Sequence, residues 1–129
     1  MNIGQASRST GVSSKMIRYY ESIGLVRPAA RTDGNYRSFS DRDLNDLRFI
    51  KRARTLGFSV PEIEHLLSLW RDQSRLSRDV KAIAEQHIED LEGRIGEMRV
   101  VLETLRTLAN RCAGDHRPDC PILSNLGRT

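Results

Sequence analysis

Apolar positions recur at helical spacing through the first part of the chain and are interrupted by turn residues. The segment Ile3–Thr10 is followed by Gly11, which favours a helix end because glycine adopts the left-handed conformation easily. Ser13 or Ser14 then offers an N-cap for a second helix that ends near Gly24. The pattern therefore predicts a helix, a tight turn and a second helix.

Residues 27–40 break this helical pattern. Pro28 disfavours a helix, and Arg31–Arg37 carries a turn signal between residues suited to extended structure, which predicts a short β-hairpin. Ser40 and Ser59 are suitable N-caps for a third and a fourth helix. Four helices and a hairpin are expected in the first 71 residues.

A proline-free segment from about Ser77 to Arg111 carries apolar residues spaced alternately by three and four, which is typical of a coiled-coil seam. An isolated chain would leave this stripe in water, so the pattern favours a homodimer through the same helix of a second copy. The alternative is one long helix that folds back on its own domain. The seam consists of Ile88, Leu91, Ile95, Met98, Leu102, Leu105 and Ala109.

Composition narrows the class of protein. The chain has 129 residues, of which 38% are hydrophobic, 5% aromatic and 29% charged, which suits a helical protein with a thin core and argues against a large catalytic fold. No apolar run approaches the ~20 residues that cross a bilayer, so no membrane partner is expected. The first residues resemble no secretory signal, and we expect a cytoplasmic protein.

The net charge of +4 hides an asymmetry along the chain. The first 60 residues hold 11 Lys and Arg against 5 Asp and Glu, a charge of +6, whereas the rest hold 10 against 12, a charge of −2. A basic excess at one end is typical of a nucleic-acid-binding module joined to a region with another task.

The second predicted helix and the hairpin supply a candidate DNA surface. Basic residues and a tyrosine three and four positions apart share one helix face that suits a major groove, and arginines flank the hairpin as a wing beside it. An ordinary solvated basic face is the alternative. The residues assigned to DNA on these grounds are Lys15, Arg18, Tyr19, Arg31, Arg37 and, on the third helix, Arg54.

Two cysteines form the second group of candidate functional residues. Cys112 lies where the predicted long helix ends and a loop with glycine and proline begins. This loop can fold back so that Cys120 lies near Cys112. Soft thiolates favour Cu(I), for which two ligands suffice, whereas zinc normally takes four. We therefore expect a Cu(I) site, although His116, Asp115 and Asp119 leave zinc as an alternative. A disulfide is a further option, which a reducing compartment disfavours.

If the long helices pair antiparallel, the cysteine loop of one chain lies near the beginning of the partner's helix. Ser77 and Lys81 would then face the thiols from the other chain as outer residues of the site. Lys81 or the helix N-terminus could offset the net charge of −1 left by two thiolates and one monovalent ion. Ser77 is also a suitable N-cap for the long helix, and Lys81 is by default a solvated side chain.

Several motifs together resemble a known family. Ile17-Arg18-Tyr19-Tyr20-Glu21, Gly24-Leu25, Asn35-Tyr36-Arg37 and Arg54–Phe58 occur in this order, and together they resemble the MerR family of metal-responsive regulators over nearly the whole chain. The cysteine pair, with Pro121-Ile122 after it and Ser77 upstream, resembles the copper-responsive branch. Divalent-metal branches carry a third cysteine where this chain has Ser77.

The resemblance implies a mainly α fold: a winged helix-turn-helix DNA-binding domain at 1–71, a linker and dimerisation helix in an antiparallel coiled coil at 72–111, and a metal-binding loop with a C-terminal segment at 112–129. It also implies a homodimer that, with metal bound, distorts promoter DNA so that RNA polymerase activates copper efflux and detoxification genes. The family's metal ligands correspond to Cys112 and Cys120. Its DNA contacts correspond to Lys15, Arg18, Tyr20, Arg31, Tyr36, Arg37 and Arg54.

Other functions stay open at this point. Ag(I) and Au(I) share the softness and charge of Cu(I), and a sensor of zinc or mercury is the neighbouring alternative. From other classes, a thiol redox enzyme would be expected to carry CxxC spacing, and a copper carrier has no use for a basic N-terminal block. A metal-independent architectural DNA binder is a third possibility. The residues assemble no catalytic set, and we do not expect an enzyme.

Overall fold

The computed structural model describes residues 1–34 and 37–127 of the chain, and within them the fold is mainly helical. No helix in these ranges is long and apolar enough to cross a membrane. The elements in chain order are α1 (Ile3–Thr10), α2 (Ser14–Ser22), β1 (Ala30–Arg31), β2 (Arg37–Ser38), α3 (Asp41–Thr55), α4 (Val60–Arg71), α5 (Ser77–Arg111) and α6 (Pro121–Leu126).

Side-chain caps fix where the first four helices begin. Asn2 caps α1, Ser13 caps α2, Ser40 caps α3 and Ser59 caps α4, each by accepting a hydrogen bond from a backbone N–H in the first turn. Gly11 ends α1 with φ +75°, in the left-handed region. The predicted helix-turn-helix and the two helices that follow it are therefore confirmed.

The predicted hairpin is also confirmed. Strands β1 and β2 pair antiparallel, with Ala30 opposite Ser38 and Arg31 opposite Arg37. The turn residues 35 and 36 between the strands lie outside the described residues.

The chain divides into two compact units, Met1–Ile83 and a second that begins at Ala84. The first unit holds a continuous core to which α1, α2, α3 and α4 contribute. Burying branched and aliphatic side chains is the main stabilising contribution in such a small unit. The largest fully buried side chains are Ile17, Leu47, Ile50, Ile63 and Leu67.

Two buried carboxylates on α3 form ion pairs with arginines of neighbouring segments. Asp43 accepts from Arg27 Nε at 3.1 Å, and Asp46 accepts from Arg71 Nη2 at 2.8 Å. Burial raises the pKa of Asp43, but the N–H of Ser40 and the guanidinium of Arg27 outweigh it, so the pKa lies below its ordinary value. These pairs compensate for carboxylates that would otherwise be costly to bury.

The second unit contains most of α5 together with α6. Helix α5 begins at Ser77, so this residue occupies the first helical position where the sequence predicted a cap. Helix α6 was not predicted; Cys120 is its N-cap residue and Pro121 its first residue, a position where proline is well tolerated. The end of the chain is therefore partly helical.

Candidate functional site

Cys112 and Cys120 meet at one end of α5. Their Sγ atoms lie 4.0 Å apart, both side chains are half-buried, and both thiols are free. A disulfide bond requires about 2.05 Å, whereas metal–thiolate bonds are about 2.3 Å, so one metal ion can contact both sulfurs at this separation. The structure therefore brings the two predicted ligands together in a spacing that fits a metal ion.

The backbone holds each thiol in place. The N–H of Cys112 donates to the carbonyls of Leu108 and Ala109, both at 3.2 Å, which fixes the residue to the last turn of α5. The N–H of Leu123, in the first turn of α6, lowers the pKa of the Cys120 thiol, with a smaller contribution from Ile122. A lowered pKa favours the thiolate, which is the form that binds metals.

The loop between the cysteines supplies no third ligand in this arrangement. Among the described residues, no His, Asp or Glu ligand atom lies within 4.8 Å of both sulfurs. His116 is exposed, and Asp115 is engaged by Arg117, whose Nε lies 2.9 Å from its carboxylate. Two sulfur ligands suit a soft monovalent ion better than zinc, which normally takes four ligands.

Ser77 and Lys81 lie at the other end of α5. Ser77 is the first residue of this 35-residue helix, and Cys112 follows its last residue. At 1.5 Å per residue the helix is about 50 Å long, so these residues are distant from the thiols of their own chain. Their predicted position beside the cysteine pair of a second chain stays a prediction.

The predicted seam of α5 is exposed in the single chain. Its apolar side chains from Ile88 to Leu105 are between 36% and 70% exposed. A contiguous apolar stripe of this kind on a helix marks an interaction surface. Its members in this range are Ile88, Leu91, Ile95, Met98, Leu102 and Leu105.

The predicted DNA face of α2 is exposed, except for Tyr20. Lys15, Arg18 and Tyr19 are exposed on the same side of the helix, as predicted. Tyr20 is only 4% exposed, because it lies one turn after the fully buried Ile17 and points into the core. Its ring also packs edge-on against Tyr19, with centroids 5.8 Å apart. Tyr20 is therefore mainly a core residue, although it also lines a cleft beside Arg54, and its DNA contact stays a prediction.

The wing is described only in part. Arg31 is exposed on β1, and the backbone of Arg37 pairs with it from β2. The side chain of Arg37 and the whole of Tyr36 lie outside the described residues.

Helix α3 adds a basic face beside α2. Arg54 is exposed in the last turn, where its Nη1 donates to the carbonyl of Phe58 at 3.3 Å. Lys51 lies one turn earlier on the same face and is also exposed. Sequence reasoning missed Lys51, although its three-residue spacing from Arg54 on a predicted helix was a usable signal.

Comparison with protein families gives two matches that overlap along the chain. Residues 1–70 match the family described as MerR HTH family regulatory protein, and residues 44–108 match the family described as MerR, DNA binding.

The chain is also similar to individual regulators. It is 57% identical over 126 residues to "Heavy metal-dependent transcription regulator 2" of Rhizobium meliloti, which covers 98% of this chain and 86% of the relative. It is 39% identical to "HTH-type transcriptional regulator CueR" of Salmonella typhimurium, covering 98% and 91%. Among solved structures, regulator PbrR691 of Ralstonia metallidurans in complex with lead(II) matches with a TM-score of 0.84 and 30% identity, over 98% of both chains.

Proposed function

Because this chain belongs to the MerR family of helix-turn-helix regulatory proteins and is a metal-responsive transcription regulator, we propose that the metal it senses is Cu(I). The observation that carries the proposal is the pair of free thiols 4.0 Å apart, without a third ligand atom near both among the described residues. Similarity to a regulator named CueR supports it.

The donor set favours a monovalent soft ion over a divalent one. Two thiolates and one monovalent ion leave a net charge of −1, whereas zinc is usually held by four ligands. The divalent-metal branches of the family carry a cysteine where this chain has Ser77. Bound at the pair, Cu(I) would link the end of α5 to the start of α6 through Cys112 and Cys120.

We propose that the site is completed by a second copy of the chain. The exposed stripe of α5 is buried most directly against the same helix of a partner, and an antiparallel arrangement brings the beginning of one helix to the end of the other. Ser77 and Lys81 of one chain then lie near the thiols of the other. The ammonium of Lys81 offsets the negative charge there.

DNA recognition is assigned to the first unit. Lys15, Arg18 and Tyr19 of α2 enter the major groove, while the wing with Arg31, Tyr36 and Arg37 and the residue Arg54 contact the flanking backbone. A dimer places two such units on one promoter. Deforming a site of this size costs on the order of 1 to 10 kcal/mol, and unequal metal affinity of two dimer arrangements can supply this free energy. The distorted promoter is then engaged by RNA polymerase.

An anaerobic titration of the reduced protein tests the metal assignment. Cu(I) is added in the presence and absence of competing Zn(II), and X-ray absorption counts the sulfur ligands. We expect one Cu(I) per cysteine pair, two sulfur ligands and no tight zinc binding. A tetrahedral zinc site with a nitrogen ligand that disappears in His116→Ala would contradict the proposal and indicate a divalent-metal sensor.

Ser77→Cys is the matched control for this experiment. It adds a third thiol at the position that differs between the branches, so zinc affinity should rise at least tenfold while the Cu(I) stoichiometry stays the same. An unchanged zinc affinity would remove Ser77 from the proposed site, and with it the antiparallel arrangement that brings Ser77 near the thiols.

A further inference from the structure

A basic cleft lies between the turn of the helix-turn-helix and α3. It has a volume of about 480 Å³ and is lined by residues of the turn, of one side of α2 and of the end of α3, with no acidic residue among them. Two cations, Lys51 and Arg54, stand on its α3 side. Arg18 of α2 does not line the cleft.

The ammonium of Lys51 lies against the turn of the helix-turn-helix. A Cβ added to Gly11 would meet the ammonium end of the Lys51 side chain, which therefore lies against the turn. Gly11 also has φ +75°, which glycine adopts without strain. No carboxylate lies within 4.0 Å of Lys51 in residues 1–34 and 37–127, so its charge is not neutralised by an ion pair.

The start of α2 adds to the positive potential of the cleft. Ser13, its N-cap, lines the cleft, and the first intrahelical hydrogen bond runs from Ile17 N–H to the Ser13 carbonyl. The N–H groups of Ser14 and Lys15 precede that bond and lack intrahelical acceptors. Two side-chain cations and a helix N-terminus therefore converge on one open cleft, an arrangement that attracts a phosphate.

We propose that this cleft binds one phosphate of the DNA backbone and that Lys51 is a direct phosphate contact. The inference rests on the DNA-binding part of the proposed function and adds a residue to it. A DNA phosphate is favoured over a free anion because the next residues of α2, Lys15 and Arg18, continue the positive surface. Such a contact fixes the position of the protein on the duplex without reading a base.

The test measures binding of the metal-free full chain to a labelled 30-base-pair duplex of mixed sequence, by fluorescence anisotropy between 50 and 200 mM KCl. Each phosphate contact contributes about 0.9 to the slope of log affinity against log salt. We expect Lys51→Gln to lower the slope by about 0.9 per bound subunit and the affinity about eightfold per subunit at 100 mM salt. Lys51→Arg should retain the wild-type slope.

Arg52→Gln is the matched control because it removes the same charge from the next residue of α3. Arg52 lines a different cleft, with Asn45, Phe49 and Leu56, and should leave the slope unchanged. Arg18→Ala, on the exposed face of α2, is the positive control. Equal slopes for Lys51→Gln, Arg52→Gln and the wild type would overturn the proposal.

Two further measurements distinguish a phosphate contact from other roles of Lys51. A lower melting temperature of Lys51→Gln with an unchanged salt slope would show that the lysine only stabilises the turn, which also overturns the proposal. Inorganic phosphate alone, compared with chloride at equal ionic strength, tests a free-anion site: stabilisation that is lost in Lys51→Gln without a change in DNA slope would reassign the cleft. Because the protein is metal-free, neither result depends on the Cu(I) assignment.

Discussion

The two compact units of the chain differ in the exposure of their apolar side chains. In Met1–Ile83 the helices close over a core whose central residues, such as Ile17 and Ile50, are 0% exposed. In the unit that begins at Ala84 the apolar residues of α5 stand on its surface, with Met98 at 70% exposure. The first unit buries its own apolar surface, while the second leaves that surface available to a partner.

This difference has a functional meaning. The cysteine pair is located at the end of the helix whose apolar stripe is exposed, and not in the unit with the closed core. Metal binding at Cys112 and Cys120 would therefore act on the part of the molecule that carries the proposed dimer interface. Packing between two subunits can have two alternative arrangements, and metal binding can favour one of them.

The largest effect is expected in the closed core. Ile50→Ala removes a fully buried side chain and should lower the free energy of unfolding by about 2 to 5 kcal/mol, because it leaves a cavity. Urea unfolding followed by the fluorescence of Trp70, which stacks on Phe49 in the same unit, measures this. Val100→Ala, at a position 68% exposed, should change the stability by less than about 0.5 kcal/mol. Similar costs for both variants would contradict the contrast between the units.

A substitution in the seam should weaken the dimer and spare the first unit. Leu102→Asn places a polar amide in the stripe of both subunits, so we expect a loss of about 3 kcal/mol, or roughly a hundredfold rise in the dimer dissociation constant. Sedimentation equilibrium measures it.

Val100→Asn is the control for the seam, since Val100 is exposed but two residues away from Leu102 and off the stripe. A wild-type protein that sediments as a monomer at micromolar concentration would refute the dimer. So would equal weakening by the two variants.

The smallest effect concerns pH and the first unit. The lowered pKa of Asp43 means that its carboxylate stabilises the folded state above its ordinary pKa of 3.8, and that this stabilisation is lost as the pH falls through the lowered value. Asp43→Asn should cost on the order of 1 kcal/mol at pH 7 and less at a pH below the lowered pKa of Asp43, where the wild type loses the same charge. Urea unfolding at both pH values checks this; a cost that is equal at both would assign the effect to the shape of the side chain.

Local signals allowed most of the first unit to be predicted. Helix boundaries follow from caps such as Ser13, Ser40 and Ser59 and from the left-handed Gly11, because these contacts join residues within a single turn. The pairing of the two cysteines was also predictable, since Cys112 continues the last turn of α5 and the loop to Cys120 is short.

Local rules could not assign the face on which Tyr20 lies. Tyr20 follows Tyr19 directly, so helical spacing puts the two side chains on different faces of α2. Spacing alone does not tell which of these faces packs against the core. Only the packing around Ile17 buries Tyr20. Helix α6 escaped prediction because six residues are too few to show a period.

Residues close together along the chain were enough to predict helices α1 to α5, the basic first unit and the pair of cysteines, because propensity, capping and charge act over short stretches of sequence. The tertiary structure alone decided that Tyr20 belongs to the core and that the ammonium of Lys51 lies against Gly11. It also set the separation of the two sulfurs at 4.0 Å. These contacts join different elements, and their geometry results from how the elements pack together.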